Sequence, residues 1–264
     1  MSTKLVDMST RLYNKRLLRA YKRVHFDEDM KDGQMSHIRS SHGGWCSFAL
    51  YEWMLISVLK FNCDKFCRYT VIELGCGPGI FSIVASALSR KARSVIAIDN
   101  EPSRIDRLMS WICTIQRSME NNPQPRRYPT VRLGDFTTDE IPCYNHAIQS
   151  RKVMIYLNNY CGALTGGDVQ RKLEIKLASC LDGSVVLALD RLFYHDPNWI
   201  EEILSIFVRR KDIAMLNRVS GNPNEQKKIY LYKYTKVGAP VKLTQFSASG
   251  RRKRATQSCH MFFH

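Results

Sequence analysis

Glu73 ends an apolar run in the string VIELGCGPGIFS, and Gly75, Gly77 and Gly79 follow it at alternate positions. Glycines so spaced let the chain turn tightly and let its backbone approach a ligand, in the crevice beyond the carboxyl ends of parallel strands. Asp99 ends the next apolar run, 24 residues after Gly75. A carboxylate there can accept hydrogen bonds from both hydroxyls of an adenosine ribose, or it can cap a helix that starts near Pro102. A dinucleotide-binding dehydrogenase loop would need a third glycine at position 80, where Ile80 stands. The string KVMIYLNNYCGAL, residues 152–164, offers a second kind of chemistry. Val153, Met154, Ile155, Tyr156 and Leu157 read as a buried strand, which then presents Asn158, Asn159 and Tyr160. A buried carboxamide needs partners for a carbonyl and two N–H bonds, so either the fold caps these amides or a ligand does.

These groups need strands to hold them, and the chain alternates strands and helices from residue 70 onward. YTVIEL, SVIAID, TVRLGD, KVMIYL and DGSVVLALD read as five strands. Helices are expected over residues 79–90, from Pro102 to about Met119, and over residues 168–180. A further helix is expected over residues 198–208. Two late strands, DIAMLN and KKIYLYKYT, are joined by SGNPNE in a hairpin-like connection. Alternation of this kind implies an α/β fold, a mostly parallel sheet with helices on both faces. Residues 1–69 look helical and read as an N-terminal region or lid, ahead of a domain over residues 70–246 and a basic tail over residues 247–264.

Charge is the strongest compositional signal, at a net +16 over 264 residues. Residues 1–40 hold nine Lys/Arg and five Asp/Glu, residues 41–207 hold 18 and 17, and residues 208–264 hold 13 and two. A nearly neutral middle therefore lies between basic ends. Residues 11–23 alone carry six basic residues and no acid, arranged so that a helix would show an apolar and a basic face. Asymmetry of this size points to a polyanion partner, either nucleic acid or a nucleic-acid assembly. No apolar run approaches the roughly 20 residues that span a bilayer, and no aromatic-rich amphipathic anchor accompanies the charge, so a membrane partner is not expected. The N-terminus shows no secretory signal. The nine cysteines are scattered, with Cys63 and Cys67 the closest pair and no second pair at zinc-finger spacing, so reduced thiols and no metal are expected.

The glycine string followed by Asp99 resembles the Class I S-adenosylmethionine-dependent methyltransferases. That resemblance implies a seven-stranded, Rossmann-like sheet whose last two strands form an antiparallel hairpin. It also implies that Glu73, Gly75, Cys76, Gly77 and Gly79 hold the methionine end of S-adenosyl-L-methionine and that Asp99 holds the ribose. The N-N-Y string lacks the prolines of the [DN]-P-P-[YF] motif in amino-directed nucleic-acid methyltransferases. Taken together, GDFTTDEIP, VMIYLNNYCGAL and LDGSVVLALDRLF resemble the non-SET histone H3 lysine methyltransferases, the disruptor-of-telomeric-silencing family. The small size is similar to that of the compact kinetoplastid members. GGWCSF, residues 43–48, resembles the family's G-E-T-S-F segment, which brings Cys46, Ser47 and Phe48 over the cofactor.

On this resemblance Asp135 and Phe136 would bind adenine, Asn158 would mark the floor of a lysine channel, and Tyr156 and Tyr160 would be its walls. The implied activity is methyl transfer to a lysine in the core of histone H3, in the nucleus, with the basic N-terminal helix and C-terminal tail docking on nucleosomal DNA and histones. An RNA or DNA methyltransferase of the same fold, or an inactive nucleosome-binding module, are the alternatives.

Overall fold

The structure, a computed structural model, describes residues 44–46, 48–59, 69–77, 79–88, 94–118, 128–138, 140–158, 167–193, 196–209, 213–215 and 225–240. In chain order the elements are β1 (Gly44–Cys46), α1 (Phe48–Trp53) with a π-helical turn (Met54–Val58), β2 (Thr70–Leu74), α2 (Ile80–Leu88), β3 (Ser94–Asp99), α3 (Pro102–Ser118), β4 (Thr130–Leu133), α4 (Pro142–Ser150), β5 (Val153–Leu157), α5 (Gly167–Ala178), β6 (Val185–Ala188), β7 (Trp199–Arg209), β8 (Ile213–Met215) and β9 (Gln226–Lys236). Seven of the strands form one sheet in the order β4-β3-β2-β5-β6-β9-β7. All are parallel except β9, which runs antiparallel to both β6 and β7.

The central strands are mostly apolar because both faces of the sheet are covered, with Thr70 and Glu73 the polar residues of β2. Every residue of β2 and β5 is buried, as a parallel strand between helix layers requires. Side chains alternate between two core layers. Val71, Val95, Ala97, Met154 and Tyr156 pack with α1, α2 and α3 through Tyr51, Phe81, Ile83, Leu108 and Ile115. Ile72, Ile96, Ile98, Ile155 and Leu157 pack with α4 and α5 through Tyr144, Ile148, Leu173 and Leu177. Each fully buried large apolar side chain contributes about 1.5–3 kcal/mol relative to exposure, so these layers fix the strand ends to which the polar groups attach.

Three expectations are corrected. The helix expected over residues 198–208 is instead strand β7, Trp199–Arg209. The apolar spacing of Ile200, Ile203, Leu204 and Phe207 suits a helix period, but the segment is rich in β-branched and aromatic residues, and pairing with β9 along all 11 residues prevails. The hairpin partner of β9 is therefore β7, while the core of DIAMLN forms β8 and pairs with β1 in a separate two-stranded sheet. That pairing also places a strand, β1, inside the stretch read as helical, although α1 and its π-helical turn agree with the helical reading. Helix α4 was not expected at all. The proposed basic helix of residues 11–23 and the tail of residues 247–264 lie outside the described residues.

Candidate active site

Four adjacent parallel strands deliver the candidate residues to one end of the sheet. In sheet order these are β4, followed by Gly134, Asp135 and Phe136; β3, ending in Asp99; β2, followed by Gly75 and Gly77; and β5, followed by Asn158. The strand order reverses between β2 and β5, which is where open α/β sheets form their ligand crevice. Backbone bonds lace three of these loops together. Cys76 N–H donates to the Ile98 carbonyl at 2.8 Å, Gly134 N–H donates to the Asp99 carbonyl at 3.0 Å, and Gly79 N–H closes the turn on the Cys76 carbonyl at 2.7 Å.

Gly75 and Gly77 take φ values of +67° and +49°, in the left-handed region that favours glycine. Among the described residues, chain neighbours aside, no atom lies within 4 Å of where a Gly77 Cβ would stand, and a Gly75 Cβ would meet only Phe136 Cε1, at 4.0 Å. The loop therefore leaves open space above its backbone. Gly79 differs: its Cβ would stand 2.6 Å from Leu108 Cδ2, so this glycine admits α3 against the start of α2.

Glu73 is buried and accepts the Ser82 N–H at 2.9 Å through Oε2, in the first turn of α2. Burial raises its pKa to about 8, outweighing the hydrogen bonds from Ser82 and Phe81 that favour the charged form, while Asp99 adds a smaller push in the same direction as burial. The Cys76 thiol is buried and lifted well above its ordinary range, chiefly by desolvation, so it is not a nucleophile.

Asp99 is only 1% exposed. Its Oδ2 accepts the Gly77 N–H at 2.7 Å, its Oδ1 accepts the Glu101 N–H at 3.0 Å, and Arg104 Nη1 lies 3.7 Å from Oδ1. It fastens the glycine loop to β3 and also turns the chain into α3, close to the capping reading. A carboxylate oxygen accepts more than one hydrogen bond, so the Gly77 contact leaves Oδ2 able to take a ligand hydroxyl as well. Ser82 and Arg104 had no role assigned from the sequence, because their contacts to Glu73 and Asp99 depend on the fold.

Asp135 is partly buried, which raises its pKa, but Thr137 and Thr138 hydrogen bonds overcome that and hold it below the usual range. Thr137 donates both its N–H and its hydroxyl to Oδ1, at 2.8 and 2.6 Å. Phe136 is 7% exposed and lies beside Gly75. Asn158 stands half-exposed at the end of β5. Tyr156, by contrast, is fully buried, stacked on Phe81 with centroids 4.5 Å apart and edge-on to Tyr51 at 5.3 Å. Tyr160 and Ser47 lie outside the described residues, and Cys46 and Phe48 are placed by backbone alone, in β1 and at the start of α1. Among the described residues no three His, Cys, Asp or Glu side chains are placed to hold a metal ion, and no helix is long and apolar enough to cross a membrane. A depression of about 540 Å³ lined by Lys152, Leu181, Asp182 and Gly238 lies at the opposite, amino-terminal ends of β5 and β6, away from this crevice.

No protein-family model matches the chain, and no curated protein matches it. Among solved structures it is similar to a methyltransferase from Geobacter sulfurreducens, with 14% identity over 83% of this chain and 89% of that one and a TM-score of 0.44. It is also similar to precorrin-6y C5,15-methyltransferase from Geobacter metallireducens, at 12% identity over 68% and 86% with a TM-score of 0.44. An O-methyltransferase from Thermotoga maritima gives 13% identity over 70% and 66%, with a TM-score of 0.43. Likeness this distant adds no weight to a function. The seven-stranded sheet with its single antiparallel strand is nevertheless the fold that the glycine string implied.

The donor set fits S-adenosyl-L-methionine. The Gly75–Gly77 backbone leaves room a side chain would fill, a buried carboxylate lies on each side of it at Glu73 and Asp99, and Phe136 borders it with an aromatic ring.

Proposed function

We propose that the chain is an S-adenosyl-L-methionine-dependent methyltransferase whose substrate is a lysine in the core of histone H3 on the nucleosome. The observation that supports it most is the gathering of the glycine loop, Asp99, Asp135, Phe136 and Asn158 at the carboxyl ends of four neighbouring parallel strands. The cofactor, when bound, supplies an electrophilic methyl group on a sulfonium. Glu73 and the Gly75–Gly77 backbone hold its methionine end, Asp99 and Asp135 accept from its ribose and adenine, and Phe136 packs against the base.

Methyl transfer to an amine is an in-line displacement, so the residues need to position and desolvate rather than to form a covalent intermediate. The lysine must arrive neutral, since its free pKa is about 10.4 and only the uncharged amine is nucleophilic. A poorly solvated channel lowers that pKa. Asn158 orients the amine through its carboxamide. Tyr156 supports the floor of the site from within the core instead of lining a channel. The histone reading draws on the order of the GDF, N-N-Y and late-strand strings, and the basic ends suit a nucleosome through phosphate contacts that carry no sequence information. A nuclear location follows from that substrate.

Radiolabelled cofactor incubated in parallel with nucleosomes, free histones and RNA tests the assignment. Label on histone H3 of nucleosomes is the expected result. Label on RNA alone would replace it with a nucleic-acid methyltransferase, and no label anywhere, with intact nucleosome binding, would make the chain a docking module.

A further inference from the structure

We infer that the outer edge of β7 is a self-complementary interface that pairs two copies of this chain, independently of the proposed reaction. β7 is the last strand of the seven-stranded sheet, and among the described residues it hydrogen-bonds only to β9. Val237 N–H donates to the Asn198 carbonyl across that pair, so even-numbered residues turn their peptide groups to β9. The peptide groups of Trp199, Glu201, Ile203, Ser205, Phe207 and Arg209 therefore point away from β9; the Trp199 N–H is already taken by the Asp196 carbonyl at 3.1 Å, so the open edge runs from Glu201 to Arg209. An open edge of this length is a template for another strand.

The side chains along this edge specify the partner. Acids occupy its first half, Glu201 and Glu202, and Arg209 closes the second half. Antiparallel pairing about a twofold axis at Ser205 sets Glu201 of one copy opposite Arg209 of the other, and Ile203 opposite Phe207. All six of these outward residues are odd-numbered, so directly opposite side chains share one face. Ile203 is 43% exposed and Phe207 is partly exposed, so the pairing covers apolar surface that an isolated chain leaves to water. Glu201 is already paired with Arg191 through both oxygens, at 2.9 and 2.8 Å, so Arg209 of the other copy adds a second cation to a held carboxylate, and the apolar match of Ile203 with Phe207 carries more of the pairing. A parallel arrangement would place like charges together, and an unrelated strand would lack this two-fold match.

Sedimentation equilibrium of the full chain over a dilution series tests the inference, with circular dichroism and melting as controls. A reversible dimer is expected. Ser205→Pro removes an N–H that faces outward, so it spares the β9 ladder while blocking the edge. Ile203→Lys and Arg209→Glu act at exposed positions, and because each change acts twice across the twofold axis, each is expected to raise the dissociation constant by more than about tenfold. A monomer at all concentrations would overturn the inference. A dimer undisturbed by the folded Ser205→Pro variant would overturn it too, since pairing would then use another surface.

Discussion

Glu73→Gln isolates the proton that burial places on Glu73. The folded carboxyl titrates at about 8 against an ordinary value of 4.5, so the folded state binds this proton more tightly than the unfolded chain does. The stability this gives is fully present below pH 4.5 and is lost as pH rises through about 8. At about 1.4 kcal/mol per pKa unit, the whole loss amounts to about 5 kcal/mol. Glutamine keeps an oxygen for the Ser82 N–H and never ionises, so it mimics the protonated acid. Urea denaturation of wild type and variant at intervals from about pH 5 to about pH 8 gives the difference in unfolding free energy, which cancels the titration of other groups. The variant is expected to gain on wild type steadily towards pH 8. A flat difference would mean that Glu73 is ionised in the folded protein, held by the amide groups at the start of α2, and the burial argument would fail. The same proton bears on the ligand: if Glu73 holds the cofactor's methionine end as proposed, the ammonium there would favour the ionised carboxylate, and calorimetric titrations near pH 7 in two buffers of different ionisation heat would show proton release.

The remaining predictions concern packing, the amide and the tail. Gly79→Ala forces a Cβ to within 2.6 Å of the buried Leu108 in a left-handed conformation, and it is expected to cost about 2–4 kcal/mol by chemical denaturation. Asn158→Ala is expected to lower turnover far more than melting temperature; early melting with specific activity retained would make Asn158 a structural cap. Replacing the four basic residues of 251–254 by alanine is expected to weaken nucleosome binding and reduce the log–log salt slope by about 0.9 per lost phosphate contact, with cofactor affinity unchanged. Full nucleosome activity of that variant at physiological salt would move docking elsewhere.

The strands that carry the site were legible because burial on both faces leaves runs such as VIAI and VMIYL with no polar break, and VIEL with Glu73 alone. The glycine loop was legible for a similar reason, since positive φ at positions 75, 77 and 79 admits few other residues. Strand β7 was not, because isoleucines at 200, 203 and 206 satisfy more than one period and only the long-range register with β9 decides between them. Helix α4 carries a mixed surface with only Tyr144, Ala147 and Ile148 buried, too short a pattern to stand out. The partners of Asp99 were hidden too, since backbone N–H donors such as those of Gly77 and Glu101 have no sequence signature. Tyr156 and Asn158 show the limit at one strand end: their types suggested a shared role, but Tyr156 lies inside β5 and packs on Phe81 and Tyr51, whereas Asn158 follows the strand's last residue, Leu157.

Calorimetric titration of S-adenosyl-L-methionine into the wild-type chain and into Gly77→Arg tests most directly whether the β2–α2 loop is a cofactor cradle. Among the described residues the space beyond Gly77 is open, so arginine fills the ligand's place, and the circular dichroism control checks that the loop bears a side chain at its positive φ of +49°. Saturable binding to wild type and none to a variant with an unchanged circular dichroism spectrum is the predicted result. Equal affinity in both, or no binding to either, would contradict the cradle.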